Sequence, residues 1–145
     1  MCGITGIFAF NLVGRMNMIH LANATQALEK RGPDFQDMYH DQFVGLGHRR
    51  LSIIDTTPAG NQPMWDESSQ YAIVYNGEIF NFRELRVELE TKGIAFHSQS
   101  DTEVLLKLYM HEGESCLNKL NGFFFILYLR QAGTNFFFSR ATVTV

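Results

Sequence analysis

The pattern of apolar and polar positions divides the chain into short strands and short helices. Residues 2–10 are β-branched, aromatic and punctuated by glycine, which predicts a buried strand at the start of the sequence. Apolar residues then recur at helical spacing until Gly32 and Pro33, two residue types that break helices. The pattern therefore predicts a first helix over about residues 16–30.

The middle of the chain alternates strands with loops. Two apolar runs within residues 43–54 flank three basic residues, 48–50, which predicts a strand, a basic bend and a second strand. A loop is expected over residues 58–63, which contain two prolines and a glycine, and residues 71–75 are expected to form a further strand. The Asn76-Gly77 pair that follows is the dipeptide most typical of a hairpin turn.

Two helices are expected in the second half. Asn81, with Glu84 three residues later, resembles an N-cap pair, and Gly93 is expected to close that helix. The Ser-Asp-Thr-Glu segment at residues 100–103 is a capping box. It predicts a helix over about residues 101–112.

The last part of the sequence is rich in strand-forming residues. A short helix is expected near residues 117–120, followed by strands at 123–129 and 135–138 around an Ala132-Gly133 turn. Strand pairs thus occupy both ends, while helices alternate with strands in the middle. This mixture favours an α+β fold with antiparallel sheets over a doubly wound parallel sheet.

Composition narrows the range of functions. Of 145 residues, 46% are hydrophobic and 19% are charged, as in an ordinary globular domain, and the net charge is −3. Nucleic acid and anionic membranes attract clustered lysine and arginine, which this chain lacks, so neither is an expected partner. Two cysteines are too few for a disulfide framework, and nothing resembles a targeting segment, so a cytoplasmic location is expected.

The position of Cys2 suggests a chemical role. Removal of Met1 would leave Cys2 with both a thiol and a free α-amino group, which can serve as nucleophile and base. Their ordinary pKa values, about 8.5 and about 7.7–8.0, allow a proton to pass between them at neutral pH. Position alone nevertheless favours the alternative that Cys2 is a packed strand cysteine.

Five separated segments decide between these interpretations. They are Met-Cys-Gly-Ile at the start, Arg-Gly-Pro-Asp at 31–34, His-Arg-Arg-Leu-Ser-Ile-Ile-Asp at 48–55 with Pro-Ala-Gly-Asn-Gln-Pro at 58–63, Tyr-Asn-Gly-Glu-Ile-Phe-Asn at 75–81, and Ser-Gln-Ser-Asp-Thr-Glu at 98–103. In this order they resemble class II glutamine amidotransferase domains, and most closely those of glutamine-hydrolysing asparagine synthetases. The resemblance implies an N-terminal-nucleophile hydrolase fold, a four-layer αββα sandwich of two antiparallel sheets.

The resemblance also gives roles to individual residues. Cys2 would be the nucleophile, with the Asn76 side-chain amide and the Gly77 backbone N–H stabilising the oxyanion. Arg50 would bind the α-carboxylate of glutamine, while Asp101 and Glu78 would bind its α-ammonium group. The backbone that would complete the cradle belongs to Leu51, Ser52, Ile53 and Ile54.

Each of these residues also has a simpler interpretation. Asn76 and Gly77 could form only a hairpin turn, and Asp101 could simply favour the start of a helix. Arg50 and Glu78 could be surface charges. Taken alone, each simpler interpretation is at least as good as the functional one, so the functional assignment depends on the five segments occurring together.

No metal or organic cofactor is expected for glutamine hydrolysis itself. The five histidines show no zinc-ligand spacing, and Cys116 is expected to be an inert packing residue. ATP and magnesium would be needed only by a synthetase domain. The expected partners are L-glutamine and a synthetase domain or chain, and a homodimer is also considered.

The end of the sequence departs from the family pattern. After Arg140 the relatives continue with an acidic residue, a glycine and a Pro-Leu-Tyr-Tyr-like strand, whereas this chain ends Ala-Thr-Val-Thr-Val at 141–145. We therefore expect an incomplete amidotransferase domain over residues 1–140, a divergent tail over 141–145, missing C-terminal strands and no synthetase domain. The leading hypothesis is a glutaminase that supplies ammonia for asparagine formation. The alternatives are an inactive remnant that binds glutamine or a synthetase chain, and, less favoured, another N-terminal-nucleophile hydrolase.

Overall fold

The computed structural model describes residues 2–131 and 135–142. Its contacts divide the chain into two compact units. Unit 1 comprises Met1–Ile53 and Asn61–Pro63, and unit 2 comprises Ile54–Gly60 and Met64–Val145. Each unit contains one antiparallel sheet with helices, so the expected α+β class with antiparallel sheets is confirmed.

Unit 1 is built on a three-stranded sheet. Its strands are β1 (Gly3–Phe8), β2 (Phe35–His40) and β3 (Val44–Arg50), with β3 in the centre. The helices are α1 (Leu12–Met16) and α2 (Leu21–Gln26), joined by a 3₁₀ turn at Asn17–His20. α2 packs against β1 and β3, where glycines give it room: a Cβ at Gly47 would overlap the Thr5 and Thr25 hydroxyls.

The predicted helix over residues 16–30 is wrong in its bounds and its continuity. The helical segment begins at Leu12, because the Asn11 side chain accepts a hydrogen bond from Gly14 N at 2.9 Å. It ends at Gln26, after which the chain forms turns in which several N–H groups bond three residues back, as in Leu28 N to Thr25 O at 3.1 Å.

The predicted basic bend at residues 48–50 is also wrong. β3 continues through His48, Arg49 and Arg50, because these residues pair with β1 or β2 on their two sides. The second strand predicted within 51–54 is absent, and β2 was not predicted. Pairing on both edges thus overrides the local preference of basic residues for a solvent-exposed bend.

Unit 2 is built on a four-stranded sheet in the order β4-β5-β6-β7. The strands are β4 (Met64–Trp65), β5 (Tyr71–Ile79), β6 (Gly122–Arg130) and β7 (Asn135–Thr142). The helices are α3 (Phe82–Thr91) and α4 (Asp101–Glu112), followed by a 3₁₀ helix at Gly113–Lys119. Apolar side chains of β5, β6, α3 and α4 form one buried core. Within the described ranges, none of the helices has the length and apolar character needed to cross a bilayer.

The course of β5 shows whether Asn76 and Gly77 form a hairpin turn. The strand does not stop at residue 75 but continues through Asn76 and Gly77 to Ile79, so the hairpin-turn interpretation is wrong. The physical reason is that residues 71–79 pair with all nine residues of β6, with Asn76 opposite Phe125 and Gly77 opposite Phe124.

Asn81 begins α3 without the predicted side-chain cap. Its amide instead donates to Lys119 O at 2.8 Å and accepts from Asn121 N at 2.9 Å, which ties the start of α3 to the start of β6. The predicted end of the helix is confirmed, because Gly93 lies just beyond it with φ of 84°.

The prediction of α4 is confirmed, but only half of its capping box forms. The Ser100 hydroxyl accepts from Glu103 N at 3.2 Å, whereas the Glu103 carboxylate accepts from the backbone N–H groups of His97 and Ser98. Residue 116 lies in the short helix predicted nearby, and burial raises the pKa of the Cys116 thiol to about 12, which fits an inert packing role. The last two predicted strands are confirmed within β6 and β7, while the Ala132-Gly133 turn lies outside the described residues.

Candidate active site

In unit 1, Cys2 lies immediately before β1 and is half-buried. Its sulfur accepts a hydrogen bond from Leu51 N at 3.3 Å and lies 3.7 Å from Leu51 O. Leu51 is the first residue after β3, the central strand. The thiol is therefore held at the point where the central strand ends, and the Leu51 N–H is directed at the sulfur, where it can stabilise a thiolate.

The segment 31–34 holds both the cysteine and the chain that follows β3. Arg31 Nε donates to Cys2 O at 3.1 Å, and Asp34 Oδ2 accepts from Ser52 N at 2.7 Å. Gly32 lies against the Arg49–Arg50 backbone so closely that a Cβ there would be 2.6 Å from Arg50 N. This segment is one of the five that carry the family resemblance, but no role for it was predicted from the sequence.

Arg50 is buried, with only 5% of its surface exposed, so the surface-charge interpretation is wrong. Its Nη1 donates to Asn61 Oδ1 at 2.7 Å, within the same unit. Asn61 was missed in the sequence analysis, because nothing local in the sequence indicates a contact between residues 11 positions apart. A guanidinium carries five N–H donors, so one that donates to an amide can also donate to a carboxylate.

The expected substrate cradle divides between the units. Leu51, Ser52 and Ile53 belong to unit 1, and Ile54 to unit 2. The N–H groups of Leu51 and Ser52 are engaged by Cys2 and Asp34, so other atoms of these two residues would have to contact a substrate. Ile53 and Ile54 are exposed.

In unit 2, Asn76, Gly77 and Glu78 are consecutive residues of β5. Asn76 and Gly77 are half-buried, and Glu78 is exposed. At Gly77 the strands approach each other so closely that a Cβ would overlap the Phe123 carbonyl and lie 2.6 Å from Phe124 Cα. Glycine is therefore required at this position by packing, independently of any contact with a substrate.

Asp101 is the first residue of α4 and is buried. Its Oδ2 accepts a hydrogen bond from the Tyr75 hydroxyl at 2.9 Å. Burial raises the pKa of Asp101, the hydrogen bond from Tyr75 and those from the α4 backbone oppose this, and the negative charge of Glu78 adds to the rise. Glu78 and Asp101 thus act on each other electrostatically. Tyr75 was missed, since tyrosine in a strand is usually explained by packing.

Asp55 supports the segment that leads into α4. It has φ of 52°, in the left-handed region, and its Oδ2 accepts from Gln99 N at 2.7 Å. Its Oδ1 accepts from Thr57 N at 2.9 Å. The carboxylate therefore connects the 54–60 loop to the backbone two residues before Asp101.

Within residues 2–131, no three His, Cys, Asp or Glu side chains are arranged to hold a metal ion. The polar residues described above are a thiol and a buried guanidinium in unit 1, and a pair of carboxylates and a strand with an amide side chain in unit 2.

Comparison with known proteins shows which family this chain resembles. A family model described as "Glutamine amidotransferase domain" matches residues 1–143. "Asparagine synthetase [glutamine-hydrolyzing] 1" of Bacillus subtilis (strain 168) is 45% identical over 131 residues, which are 88% of this chain and 20% of that protein. The asparagine synthetase [glutamine-hydrolyzing] of Brassica oleracea is 34% identical over 100% of this chain and 24% of its own length. The chain therefore spans only about a fifth to a quarter of the length of these relatives.

A solved structure gives the same indication. The glutamine phosphoribosylpyrophosphate amidotransferase from B. subtilis, complexed with ADP and GMP, aligns with a TM-score of 0.53 and 27% identity. The alignment covers 61% of this chain and 21% of that one. Fold and sequence thus point to one family.

Proposed function

Because this chain belongs to the glutamine amidotransferase family, we propose that it hydrolyses glutamine to glutamate and ammonia through a thioester on Cys2. One observation carries the proposal: the Cys2 sulfur accepts the Leu51 N–H at 3.3 Å, one residue beyond the buried Arg50. The proposed nucleophile, Cys2, and the proposed carboxylate-binding group, Arg50, thus both lie at the end of β3.

The proposed reaction begins with Met1 removed; Met1 lies outside the described residues. The α-amine of Cys2 takes the thiol proton, and the thiolate attacks the carboxamide carbon of glutamine to form a tetrahedral oxyanion. Collapse breaks the C–N bond, and the ammonium form of the Cys2 amine returns the proton to the departing ammonia. Water then attacks the thioester, releasing glutamate and restoring the thiol.

Residues in both units have proposed roles in binding. The Asn76 amide and the Gly77 N–H stabilise the oxyanion, and the backbone of residues 51–54 contributes to the cradle. Arg50 binds the α-carboxylate, because a guanidinium can donate two parallel hydrogen bonds to it. Asp101 and Glu78 bind the α-ammonium group: Glu78 is near enough to Asp101 to raise its pKa, and a bound cation would offset the repulsion between the two carboxylates.

We further propose that the ammonia is used to convert aspartate to asparagine, because relatives of this chain are named glutamine-hydrolysing asparagine synthetases. That step would require ATP and magnesium and would take place on a synthetase domain or chain. The part of the relatives that this chain does not match is long enough to hold such a domain.

The direct test is glutamate release from glutamine by the purified protein, compared with Cys2→Ala. Cys116→Ala is the matched control, because its thiol is buried and its pKa is raised to about 12. We expect Cys2→Ala to lose essentially all turnover and Cys116→Ala to keep it. Equal rates for the wild type and Cys2→Ala would overturn the proposal, whereas glutamine binding without turnover by the wild type would favour the inactive alternative.

The state of the N-terminus can be measured independently. Mass spectrometry of the intact active protein should show that Met1 is absent. An active protein that retains Met1 would contradict the use of the Cys2 amine as the base.

A further inference from the structure

Tyr75 and Asp101 form a buried hydrogen bond at the edge of the core of unit 2. The tyrosine hydroxyl donates to Asp101 Oδ2 at 2.9 Å, and the two residues are 4% and 7% exposed. Tyr75 directly precedes Asn76 in β5, and Asp101 begins α4. The contact therefore connects the strand that carries Asn76 and Gly77 to the carboxylate on the helix.

A carboxylate that binds an ammonium group must be ionised and correctly oriented. Burial works against the first requirement, because it raises the pKa of Asp101. The phenol O–H of Tyr75 donates to the ionised carboxylate and so stabilises it. The same hydrogen bond fixes one carboxylate oxygen and thereby sets the direction in which the other oxygen points. A phenylalanine would fill the same space in the core but would supply neither effect.

The core contains a second tyrosine that serves as an internal comparison. Tyr128 lies in β6, is 2% exposed, and donates to Leu105 O at 2.9 Å, also on α4. Both tyrosines therefore connect the sheet to α4 through hydroxyl bonds of equal length. They differ in their acceptor, which is a helix carbonyl for Tyr128 and a carboxylate for Tyr75.

From this difference we infer that Tyr75 is a positioning residue for substrate binding: its hydroxyl holds the Asp101 carboxylate in place for the α-ammonium group of glutamine. The inference rests on the proposed function, in which Asp101 contacts that group. Tyr75 itself acts through Asp101 and does not contact the substrate.

The test compares Tyr75→Phe with Tyr128→Phe on two substrates. One is glutamine, and the other is 4-carbamoylbutanoate, which has the same carboxamide and carboxylate but no α-amino group. For Tyr75→Phe we expect kcat/KM for glutamine to fall about tenfold, mainly through KM, because a hydrogen bond to a charged group is lost. For the deaminated substrate we expect the same variant to stay within about twofold of the wild type, since no ammonium group is present to be bound.

The control separates positioning from stability. Tyr128→Phe should lower the melting temperature while leaving the ratio of kcat/KM for the two substrates unchanged. If Tyr75→Phe affects both substrates equally, or neither, the inference is wrong while the proposed function stands. A wild-type protein that hydrolyses neither substrate overturns both.

A second substitution covers the case in which Tyr75→Phe does not fold. Incorporation of 3-fluorotyrosine at position 75 keeps the ring and the hydroxyl but makes the phenol a stronger hydrogen-bond donor. KM for glutamine should then change while kcat/KM for the deaminated substrate does not. An unchanged KM for glutamine would overturn the inference.

Discussion

The two units hold their candidate site residues by different means. In unit 1, Cys2 and residues 51–52 lie outside regular strands and are fixed by individual hydrogen bonds, such as Asp34 Oδ2 to Ser52 N. In unit 2, residues 76–78 lie inside a nine-residue strand paired along its length, and Asp101 begins a twelve-residue helix. Cys2 and residues 51–52 of unit 1 therefore depend on a few hydrogen bonds, whereas residues 76–78 of unit 2 depend on regular backbone pairing and close packing.

The largest expected effect is the loss of close packing at Gly77. Gly77→Ala places a methyl group against the Phe123 carbonyl and Phe124 Cα, and neither strand can move without breaking its pairing. We expect unit 2 to lose about 3 kcal/mol of unfolding free energy, measured by denaturant titration. Gly93→Ala is the control, because nothing lies within 4 Å and its cost of about 1 kcal/mol comes from φ of 84° alone. Equal costs would show that strand spacing does not limit this site.

A smaller effect is expected from two acids on α4 that have opposite pKa shifts. Burial tends to raise the pKa of Glu103, but hydrogen bonds from Ser98 and the His97 backbone outweigh it and lower the pKa. Glu103→Gln should therefore cost about 2 kcal/mol at pH 7. Asp101→Asn should instead raise the melting temperature by a few degrees, because burial penalises the ionised carboxylate that the substitution removes. The same variant should impair glutamine turnover, because the proposed ligand of the α-ammonium group loses its charge.

The pH dependence of stability distinguishes the two acids. Because the folded pKa of Glu103 is below its ordinary 4.5, its stabilising contribution is complete above pH 4.5 and is lost as the pH falls through the folded value. The raised pKa of Asp101 acts in the other direction, so ionisation destabilises the fold as the pH rises above 3.8. Thermal melts between pH 3 and pH 7 should therefore show a shallower acid loss for Glu103→Gln and a steeper one for Asp101→Asn.

In unit 1, Asp34→Ala removes the acceptor for Ser52 N. We expect kcat/KM for glutamine to fall several-fold, corresponding to about 1 kcal/mol, because the residues that follow Arg50 lose their fixed position. Asp37→Ala is the control, since this exposed carboxylate accepts from the adjacent Met38 N. The measurement is kcat/KM for glutamine in both variants. An Asp34→Ala protein with unchanged kcat/KM would refute the role of this side chain.

The smallest effect is expected far from the candidate site. Glu88 lies on the surface of α3, and hydrogen bonds from Lys119 and Lys92 lower its pKa to about 2. Exposed pairs contribute little to stability, so Glu88→Gln should leave the melting temperature and the turnover essentially unchanged. An NMR titration of the wild type should find Glu88 ionising near pH 2; a midpoint near 4.5 would show that the pairs do not persist in solution.

Sequence reasoning recovered what depends on local pattern. The capping box and the apolar stripe behind Ser100 located α4, and Gly93 located the end of α3. The five segments, by their residues and their order along the chain, indicated the family and the candidate residues. These features are local, because each is encoded within a few consecutive residues.

What sequence reasoning missed depends on contacts between distant parts of the chain. β3 continues through three basic residues because strands flank it on both edges, and no local pattern reports those neighbours. Asn61 beside Arg50 was missed for the same reason, and Tyr75 was missed because packing alone accounts for a strand tyrosine until its contact with Asp101 is seen. Periodicity indicates which face of an element is buried but not which side chain it meets.

The hydrogen bond between Cys2 and Leu51 has a consequence for synthesis of the protein. The two residues are 49 positions apart, and β1 pairs only with β3 within this sheet. During translation, which adds roughly 5–20 residues per second, the N-terminus emerges seconds before its pairing strand has been made. An aminopeptidase on the ribosome therefore meets an unpaired N-terminus, and the removal of Met1 that the proposed chemistry requires can be completed before β1 pairs with β3.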